Sequence, residues 1–220
     1  MRYFPVFLNL RDQSCVVVGG GRVAERKVKT LLEAGARVKV ISPKLTAPLA
    51  RLKSGGKIVH FSRPYKAKDL EGAFLAIVAT DDRAVNERVF QEATKRRMPV
   101  NVVDDPAHSS FIVPSLVKKR DLLLAISTSG RSPALARLLR RKLEKEIGPE
   151  YGRFLRLLGA VRKKLISQGM GPGKNQAIFR KLVKEDLLSL IRARNFGVVN
   201  RRLAAILGPG FSLKQLGLRW

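Results

Sequence analysis

The chain carries, near its start, the stretch Val16-Val17-Val18-Gly19-Gly20-Gly21-Arg22-Val23-Ala24. A β-branched apolar run stops there at three glycines, and an amphipathic segment follows over residues 23–34. Gly19 permits a tight turn, Gly21 lets a phosphate group approach the backbone, and Ala24 lets a helix pack closely on a strand. A helix that starts at this point also offers N–H groups and a partial positive charge to a diphosphate. The pattern therefore predicts the dinucleotide-binding turn of an α/β domain.

Strands and helices alternate from this turn onward. We predict strands at 15–18, 37–41, 57–61, 74–79 and 99–103, with helices over 23–34, 47–53 and 83–97. Gly35 follows the first helix, where a left-handed residue is expected. Such alternation predicts βαβ units, a parallel sheet and right-handed crossovers. We therefore expect a dinucleotide-binding Rossmann-type domain over residues 1–113.

The pattern changes after residue 110. Two β-like runs, 111–117 and 122–127, flank a polar turn at 118–121, and a long helix is predicted from Pro133 to about Ile147. Residues 150–220 look helical, with the glycine-rich segment 169–173 as the clearest linker, although the pattern over 195–220 is harder to interpret and includes a turn at 208–210. We therefore expect a small α+β region at 114–149 and a helical C-terminal domain at 150–220.

The formal net charge is +27 and is unevenly distributed. Residues 1–113 contain 20 Lys and Arg against 11 Asp and Glu, whereas residues 114–220 contain 24 against 6. Nucleic acid and a small polyanionic substrate would both suit such a basic second half. A highly charged surface is also typical of proteins from hot habitats. Composition alone leaves these alternatives open.

The number of cysteines and the hydropathy of the sequence indicate the cellular compartment. Cys15 is the only cysteine, which excludes an internal disulfide and a cysteine-cluster metal site, and we expect no resident metal. Its position inside the first strand predicts a buried small apolar side chain. The sequence has no apolar run long enough for a membrane helix, and polar residues interrupt its apolar start before a signal peptide could form. We therefore expect a cytoplasmic protein that does not associate with membranes.

The second predicted strand ends without the usual acidic residue. Dinucleotide-binding folds often have an acid there to bind the ribose hydroxyls. Here Ser42-Pro43-Lys44 offers a hydroxyl and a cation instead. Because Lys44 would also suit a 2′-phosphate, these residues leave NAD and NADP both open.

Several segments together resemble the precorrin-2 dehydrogenase and sirohydrochlorin ferrochelatase family, the N-terminal part of sirohaem synthase. The matching segments lie at residues 4–8, 17–27, 32–36, 79–82, 101–104, 110–115 and 132–137, in the family's order and spacing. One of them is Asn101-Val102-Val103-Asp104. The likeness covers residues 1–147, and residues beyond 150 match only as a helical domain. The methyltransferase domain that some members carry is not expected here.

The resemblance implies a homodimer in which residues 114–149 form the dimerisation region. It implies NAD-dependent oxidation of precorrin-2 to sirohydrochlorin in sirohaem biosynthesis, with insertion of Fe²⁺ as a further activity. It puts Arg22 and Val23, then Pro43 and Lys44, beside the cofactor. Two more residues, Thr80 and Asn101, are expected nearby.

Asp104 is the candidate catalytic residue. It ends the fifth predicted strand, at the sheet edge where α/β folds bind ligands, and it coincides with the family's catalytic aspartate. As a base it would accept the proton lost in the oxidation, and in iron insertion it would take pyrrole protons or pass on Fe²⁺. A simple strand-ending turn is the alternative, and Asp105 is interpreted as a turn residue. His108 is interpreted as a bystander rather than a second proton carrier.

A second candidate segment is the small-residue loop that leads into the helix at Pro133. Ser127, Thr128 and Arg131 lie in this loop, and Arg137 follows on the helix. Hydroxyls, N–H groups and arginines of this kind bind carboxylates, and the resemblance puts the loop at the cleft for the tetrapyrrole. Thr128 stands where some members have serine, which keeps the hydroxyl. Ser132 is equally explained as a helix N-cap.

Two other classes of function compete with the enzyme. A non-enzymatic NAD-sensing module would use the same glycine-rich turn, but it has no use for the Asp104 segment or the basic second half. A nucleic-acid-binding protein would use the charge, but the sequence has no recognisable nucleic-acid motif and only 6% aromatic residues. We therefore expect an enzyme that does not bind nucleic acid.

Overall fold

The computed structural model describes residues 3–220, apart from the side chain of Pro172. The chain forms two compact units, which divide between Val113 and Pro114. The first unit is an α/β domain, and the second combines a β-hairpin with helices.

The described part of the first unit alternates strands and helices. The elements are β1 (Ser14–Val18), α1 (Arg22–Glu33), β2 (Arg37–Ile41), α2 (Ala47–Ser54), β3 (Ile58–Phe61), β4 (Leu75–Val78), α3 (Arg83–Lys95) and β5 (Val100–Val102). All strand pairs are parallel, in the order β3-β2-β1-β4-β5. The predicted Rossmann-type sheet is therefore confirmed.

Alternation along β1 divides the apolar core between the two faces of the sheet. Cys15 and Val17 point into one buried cluster, whereas Val16 and Val18 point into another. The first cluster contains buried residues of α1 and α2, and the second contains those of α3. Burial raises the pKa of the Cys15 thiol to about 11, so this residue is an inert core side chain, as predicted.

Parallel pairing brings the carboxyl ends of all five strands to one edge of the sheet. The strand order reverses at β1, since β2 lies on one side of it and β4 on the other. Ligands of open α/β sheets bind at this kind of crevice, outside the carboxyl ends of the strands. The connections that follow β1, β2, β4 and β5 are therefore the ones that build the site.

The second unit begins with an antiparallel hairpin and continues as helices. Its elements are β6 (Ser115–Lys119), β7 (Leu122–Ile126), α4 (Pro133–Glu146), α5 (Pro149–Ser167), α6 (Pro172–Lys184), α7 (Leu187–Arg192) and α8 (Phe196–Leu207). An apolar stripe on α5 is buried at Leu157, Val161 and Leu165. Segment 169–173, predicted as a linker, is a short turn into α6 within this unit. None of the described helices is long and apolar enough to cross a membrane.

The prediction of a strand over 111–117 was wrong at its start. The paired strand begins only at Ser115, and it runs through Lys119, so that Arg120 and Asp121 alone form the turn. Ahead of it, the carbonyl of Phe111 accepts a hydrogen bond from a side chain, and Pro114 has no N–H for a ladder. Local β-propensity was thus overridden by a tertiary contact.

Helix α4 is mostly exposed. Leu135, Leu138 and Leu139 lie at helical spacing and are 46%, 63% and 38% exposed, whereas Ala136 is buried. Leu123 on β7 is also exposed. The hairpin and α4 therefore present apolar surface that this chain does not itself cover.

Candidate functional site

Gly19 makes the turn that follows β1. Its φ is +120°, a conformation that residues with a side chain rarely adopt, and its N–H donates to the Ile41 carbonyl at the end of β2. A Cβ atom here would lie 2.7 Å from the Ala79 carbonyl carbon and closer still to its oxygen. The turn is thus pressed against the connection after β4, which only glycine allows.

Gly20 is also required by packing, which sequence reasoning missed. A Cβ atom here would lie 2.5 Å from Ser42 Oγ and closer still to the Lys44 carbonyl oxygen. The connection after β2 therefore lies directly against the glycine-rich turn. The third consecutive glycine was the available signal, because the usual pattern leaves this position free.

Gly21 differs from both neighbours, since nothing in the protein lies within 4 Å of its hypothetical Cβ atom. It is the N-cap of α1, and it makes no side-chain cap hydrogen bond. The N–H groups of Arg22, Val23 and Ala24 open the helix, where they have no intrahelical acceptor. The side chain of Ala24 is buried against the sheet. Space and unpaired donors thus coincide at the N-terminus of α1, as a diphosphate requires.

Hydrogen bonds hold the connection after β2 in place. Thr46 donates from its backbone to the Gly20 carbonyl at 3.0 Å and from its hydroxyl to Glu25 on α1 at 3.0 Å. Hydrogen bonds from Lys29 and Thr46 lower the pKa of the Glu25 carboxyl, which keeps it ionised. Ser42 is buried, and its hydroxyl donates to the Lys44 carbonyl. This segment is therefore a fixed wall of the site.

His60 supports the same wall from β3. Its Nε2 lies 2.9 Å from the Ser42 carbonyl oxygen and 3.3 Å from Ser42 Oγ. The residue lies on β3, as an ordinary strand residue would, but its ring buttresses the connection after β2.

A cavity of about 630 Å³ opens at this edge of the sheet. It is lined by residues 18–21, 41–46, 64–65, 79–82 and 85. Of the residues predicted to bind the cofactor, Gly19, Gly21, Pro43, Lys44 and Thr80 line it. Pro43 and Lys44 are exposed at its rim. The cavity has the size of an ordinary small-molecule site, and it joins an uncapped helix N-terminus, so the residues present fit a dinucleotide.

The side chains of two predicted cofactor residues make hydrogen bonds within the protein. Thr80 lines the cavity, and its hydroxyl accepts a hydrogen bond from the Asp82 N–H at the start of α3. Asn101 does not line the cavity; it is buried on β5, and its amide donates to the Phe111 carbonyl at 3.0 Å. Asn101 therefore secures the segment after β5.

Asp104 follows β5 at the carboxyl edge and is exposed. Its φ is +61°, which is unusual for a residue with a side chain, and the preceding Val103 N–H donates to the Val78 carbonyl of β4. Burial lowers the pKa of Lys27 on α1, and Arg26 adds to this, whereas the nearby Asp104 carboxylate raises it. Asp104 is thus an accessible carboxylate close to a half-buried ammonium group.

Asp105 and His108 belong to the same turn. Asp105 accepts hydrogen bonds from the N–H groups of Ala107 and His108, which is the turn role predicted for it. Its other carboxylate oxygen lies 2.7 Å from His108 Nδ1, and this hydrogen bond lowers the pKa of Asp105. His108 Nε2 also lies 2.8 Å from Glu87 on α3. Sequence reasoning missed this cluster.

The candidate substrate loop lies in the second unit. The Thr128 hydroxyl donates to the Ser132 carbonyl and accepts from the Ser132 N–H, so its only donor is used within the loop. Ser127 Oγ accepts from the Ser129 N–H, and the residue is exposed. Ser132 caps α4 by accepting from the Leu135 N–H, as predicted.

Arg131 and Arg137 are both exposed, one before α4 and one on it. Their charges are therefore accessible to an anion on the surface of the second unit.

Two family models match the sequence. One is described as putative NAD(P)-binding and matches residues 6–115, and the other is described as sirohaem biosynthesis protein central and matches residues 121–146. The first coincides with the α/β unit and its cavity. The predicted nicotinamide dinucleotide cofactor is therefore confirmed.

The sequence is also similar to proteins named siroheme synthase. Siroheme synthase of Methylobacillus flagellatus is 45% identical over 81% of this chain and 38% of its own length. Siroheme synthase of Thioalkalivibrio sulfidiphilus is 38% identical over 99% of this chain and 44% of its own length. The chain thus spans less than half the length of these relatives.

A solved structure matches most of the fold. The structure of SirC, described as a precorrin-2 dehydrogenase, is 26% identical with a TM-score of 0.73, and the match covers 86% of this chain and 92% of SirC. The chain therefore belongs to the sirohaem-biosynthesis family of NAD(P)-binding proteins, to which siroheme synthases and SirC are similar.

Proposed function

We propose that this chain oxidises precorrin-2 to sirohydrochlorin with NAD as the electron acceptor. One observation carries the proposal: the exposed carboxylate Asp104 lies at the carboxyl edge of the sheet, where the glycine-rich turn also lies. The similarity to SirC, which extends over 92% of that protein, supports this choice of substrate. A cofactor-binding module without catalysis would have no use for such a carboxylate.

The oxidation takes a hydride and a proton from the tetrapyrrole and yields NADH. When bound, the nicotinamide supplies the acceptor for the hydride. The Asp104 carboxylate accepts the proton, and its exposure lets it pass that proton to water. The half-buried Lys27 on α1 is close enough to interact electrostatically with Asp104, so a cation borders the proposed base.

The cofactor is held by backbone groups in this proposal. The N–H groups of Arg22, Val23 and Ala24 bind the diphosphate, because they point out of an uncapped helix N-terminus. Pro43, Lys44 and Thr80, which line the cavity, would lie beside the rest of the cofactor. NAD rather than NADP is assigned from the family resemblance, since Lys44 itself tolerates either.

The tetrapyrrole carboxylates are bound by the loop before α4. Ser127 keeps its hydroxyl proton for a carboxylate, whereas Thr128 uses its own proton within the loop. Arg131 and Arg137 supply charge-assisted hydrogen bonds. The basic excess of residues 114–220 raises the local concentration of such a polyanion.

The test is anaerobic incubation with precorrin-2 and NAD, with NADH absorbance as the readout. Asp104→Asn removes the base but suits a left-handed backbone, because asparagine adopts that conformation readily. We expect the rate to fall by about 10²–10⁴-fold with unchanged NAD affinity. Asp12→Asn is the matched control, since Asp12 is also exposed with a φ of +60° but precedes β1 at the other edge.

The outcomes separate the rival functions. Wild-type protein that binds NAD but never forms NADH from precorrin-2 would be a sensing module. An Asp104→Asn variant with the full wild-type rate would remove Asp104 from the mechanism.

Iron insertion is the second activity that we propose. Insertion of Fe²⁺ into sirohydrochlorin releases pyrrole protons, and the accessible Asp104 carboxylate suits their removal. Sirohydrochlorin and Fe²⁺ incubated anaerobically without NAD should give the metallated spectrum faster than a control without protein. Equal rates would exclude this activity.

We also infer a cytoplasmic homodimer. Leu135, Leu138 and Leu139 leave an apolar stripe on α4 that a second copy would bury. Cys15, free and buried, suits a reducing compartment. Sedimentation should give twice the mass of one chain for the wild type, and the mass of a single chain for Leu138→Lys.

A further inference from the structure

His108 lies between two carboxylates from different parts of the first unit. Asp105 belongs to the same turn as His108, and its Oδ2 lies 2.7 Å from Nδ1 of the ring. Glu87 belongs to α3, and its Oε2 lies 2.8 Å from Nε2. Phe90, also on α3, packs edge to face on the imidazole, with ring centroids 5.0 Å apart. Both nitrogens of the ring are therefore occupied by acidic partners.

This arrangement determines the charge of the imidazole. An ionised carboxylate only accepts hydrogen bonds, and a neutral imidazole has one N–H to donate. The contact with Asp105 is a hydrogen bond and Glu87 lies at ion-pair distance from the other nitrogen, so the two carboxylates together favour the imidazolium form. Consistently, the hydrogen bond to Asp105 raises the pKa of His108 above its ordinary value, and the charges of Asp105 and Glu87 add to this.

The turn that His108 joins to α3 is the one that carries Asp104. Asp104 has a left-handed backbone, which a side chain disfavours, so its position depends on the bonds around it. Asp105 binds two N–H groups of the turn, and the Ser109 hydroxyl donates to the Asp105 carbonyl at 2.7 Å. His108 connects this internally bonded turn to a packed helix through Glu87.

We propose that His108 is a positioning residue, which as an imidazolium between Asp105 and Glu87 fastens the Asp104 turn to α3. The inference rests on the proposed function, because it assigns His108 to the reaction that Asp104 catalyses. Loss of the proton leaves one carboxylate without a donor and loosens the attachment. The catalytic rate then falls while the cofactor cavity, which His108 does not line, keeps its affinity.

The sign of the pH dependence follows from the charged state. The attachment is complete at pH values below the pKa of His108 in the folded protein, and it is lost as the pH rises through that pKa. Wild-type kcat should therefore fall on the alkaline side, at the pH where the His108 ring titrates in an NMR experiment on the free protein. The chain has only two histidines, so the signal of His108 is assigned by its absence from His108→Arg.

Glu87→Gln is the informative variant, because it keeps the shape of the partner and removes its charge. We expect both the NMR titration of His108 and the alkaline fall in kcat to shift together to lower pH. Glu92→Gln is the matched control on the same helix, since Glu92 pairs with Arg96 and not with the turn. It should leave both values unchanged.

Two substitutions of His108 complete the test. His108→Ala should lower kcat on the order of tenfold to a hundredfold, because misplacement of a catalytic group by about 1 Å costs that much. His108→Arg keeps a cation with several donors at every pH, so it should retain activity and lose the alkaline fall. NAD affinity should be unchanged in both.

The failures are distinguishable. Profiles of Glu87→Gln and Glu92→Gln that superimpose, in an active enzyme, would overturn the positioning role and leave the proposed function intact. Wild-type protein without precorrin-2 oxidation would overturn the proposed function and the positioning role together. The NMR titration decides in either case whether Glu87 holds the proton on His108.

Discussion

Alanine substitutions at two adjacent glycines should affect different properties. Gly20→Ala should lower the folding stability, whereas Gly21→Ala should mainly lower the affinity for NAD. Ordinary Cβ contacts begin at 3.4 Å, and the new methyl group of Gly20→Ala would fall 0.9 Å short of this against Ser42 Oγ. It would meet the Lys44 carbonyl oxygen even sooner. The rigid wall after β2 must therefore shift, and overpacking of this kind costs about 1–3 kcal/mol of folding stability.

Gly21→Ala should behave differently. Its methyl group meets no protein atom within 4 Å, so the fold loses only what the poorer N-cap costs, less than about 1 kcal/mol. In the proposed binding mode, however, the diphosphate would occupy the same space. We therefore expect NAD affinity to fall by about tenfold or more, which corresponds to about 1.4 kcal/mol.

Two measurements on each variant test this reasoning. Urea unfolding should be followed by circular dichroism, because the single tryptophan, Trp220, lies in the second unit and does not report on the glycine-rich turn. NAD affinity should be measured by calorimetry. Wild-type NAD affinity in Gly21→Ala would refute the assignment of the diphosphate to this turn, and wild-type stability in Gly20→Ala would refute the packing argument.

Three further predictions concern charged groups. Lys44→Glu should weaken NADP binding much more than NAD binding, and an unchanged ratio of the two affinities would exclude Lys44 from the ribose site. Asp69→Asn should destabilise the first unit at neutral pH, because the hydrogen bond from Arg63 lowers the pKa of Asp69 and stabilises the folded state until the pH falls through that pKa. In urea unfolding, the variant should therefore lose less stability than wild type between neutral and acidic pH. The KM for precorrin-2 should rise with salt if the basic second half attracts the substrate, and steady-state kinetics that are indifferent to ionic strength would contradict this.

The sequence predicted the glycine-rich turn because its requirements are local. Gly19 makes the turn and Ala24 packs against the neighbouring strand, and both needs belong to one strand–helix connection. The need for Gly20 arises from Ser42 and Lys44, which the sheet brings to it from the next connection. Such a contact becomes visible only when the topology is known.

The same distinction explains which contacts around β5 could not be predicted from the sequence. Asn101 matched the family pattern, but its amide binds the Phe111 carbonyl, and this bond also removed the start of the predicted strand at 111–117. The contact of His108 with Glu87 could not be predicted, because Glu87 lies on the preceding helix. Side chains that act across connections were thus missed, while the order of strands and helices was predicted correctly.

The missing cap on α1 makes the cofactor part of the folded framework. The first N–H groups of this helix have no side-chain acceptor, so a bound anion can replace water as their partner. Occupancy then adds to the free energy of unfolding, about 2.7 kcal/mol when the free ligand is at a hundred times its dissociation constant. The resistance of this domain to heat and to proteases should therefore track the supply of dinucleotide in the cell, so that the protein persists where dinucleotide is plentiful and is cleared where it is scarce.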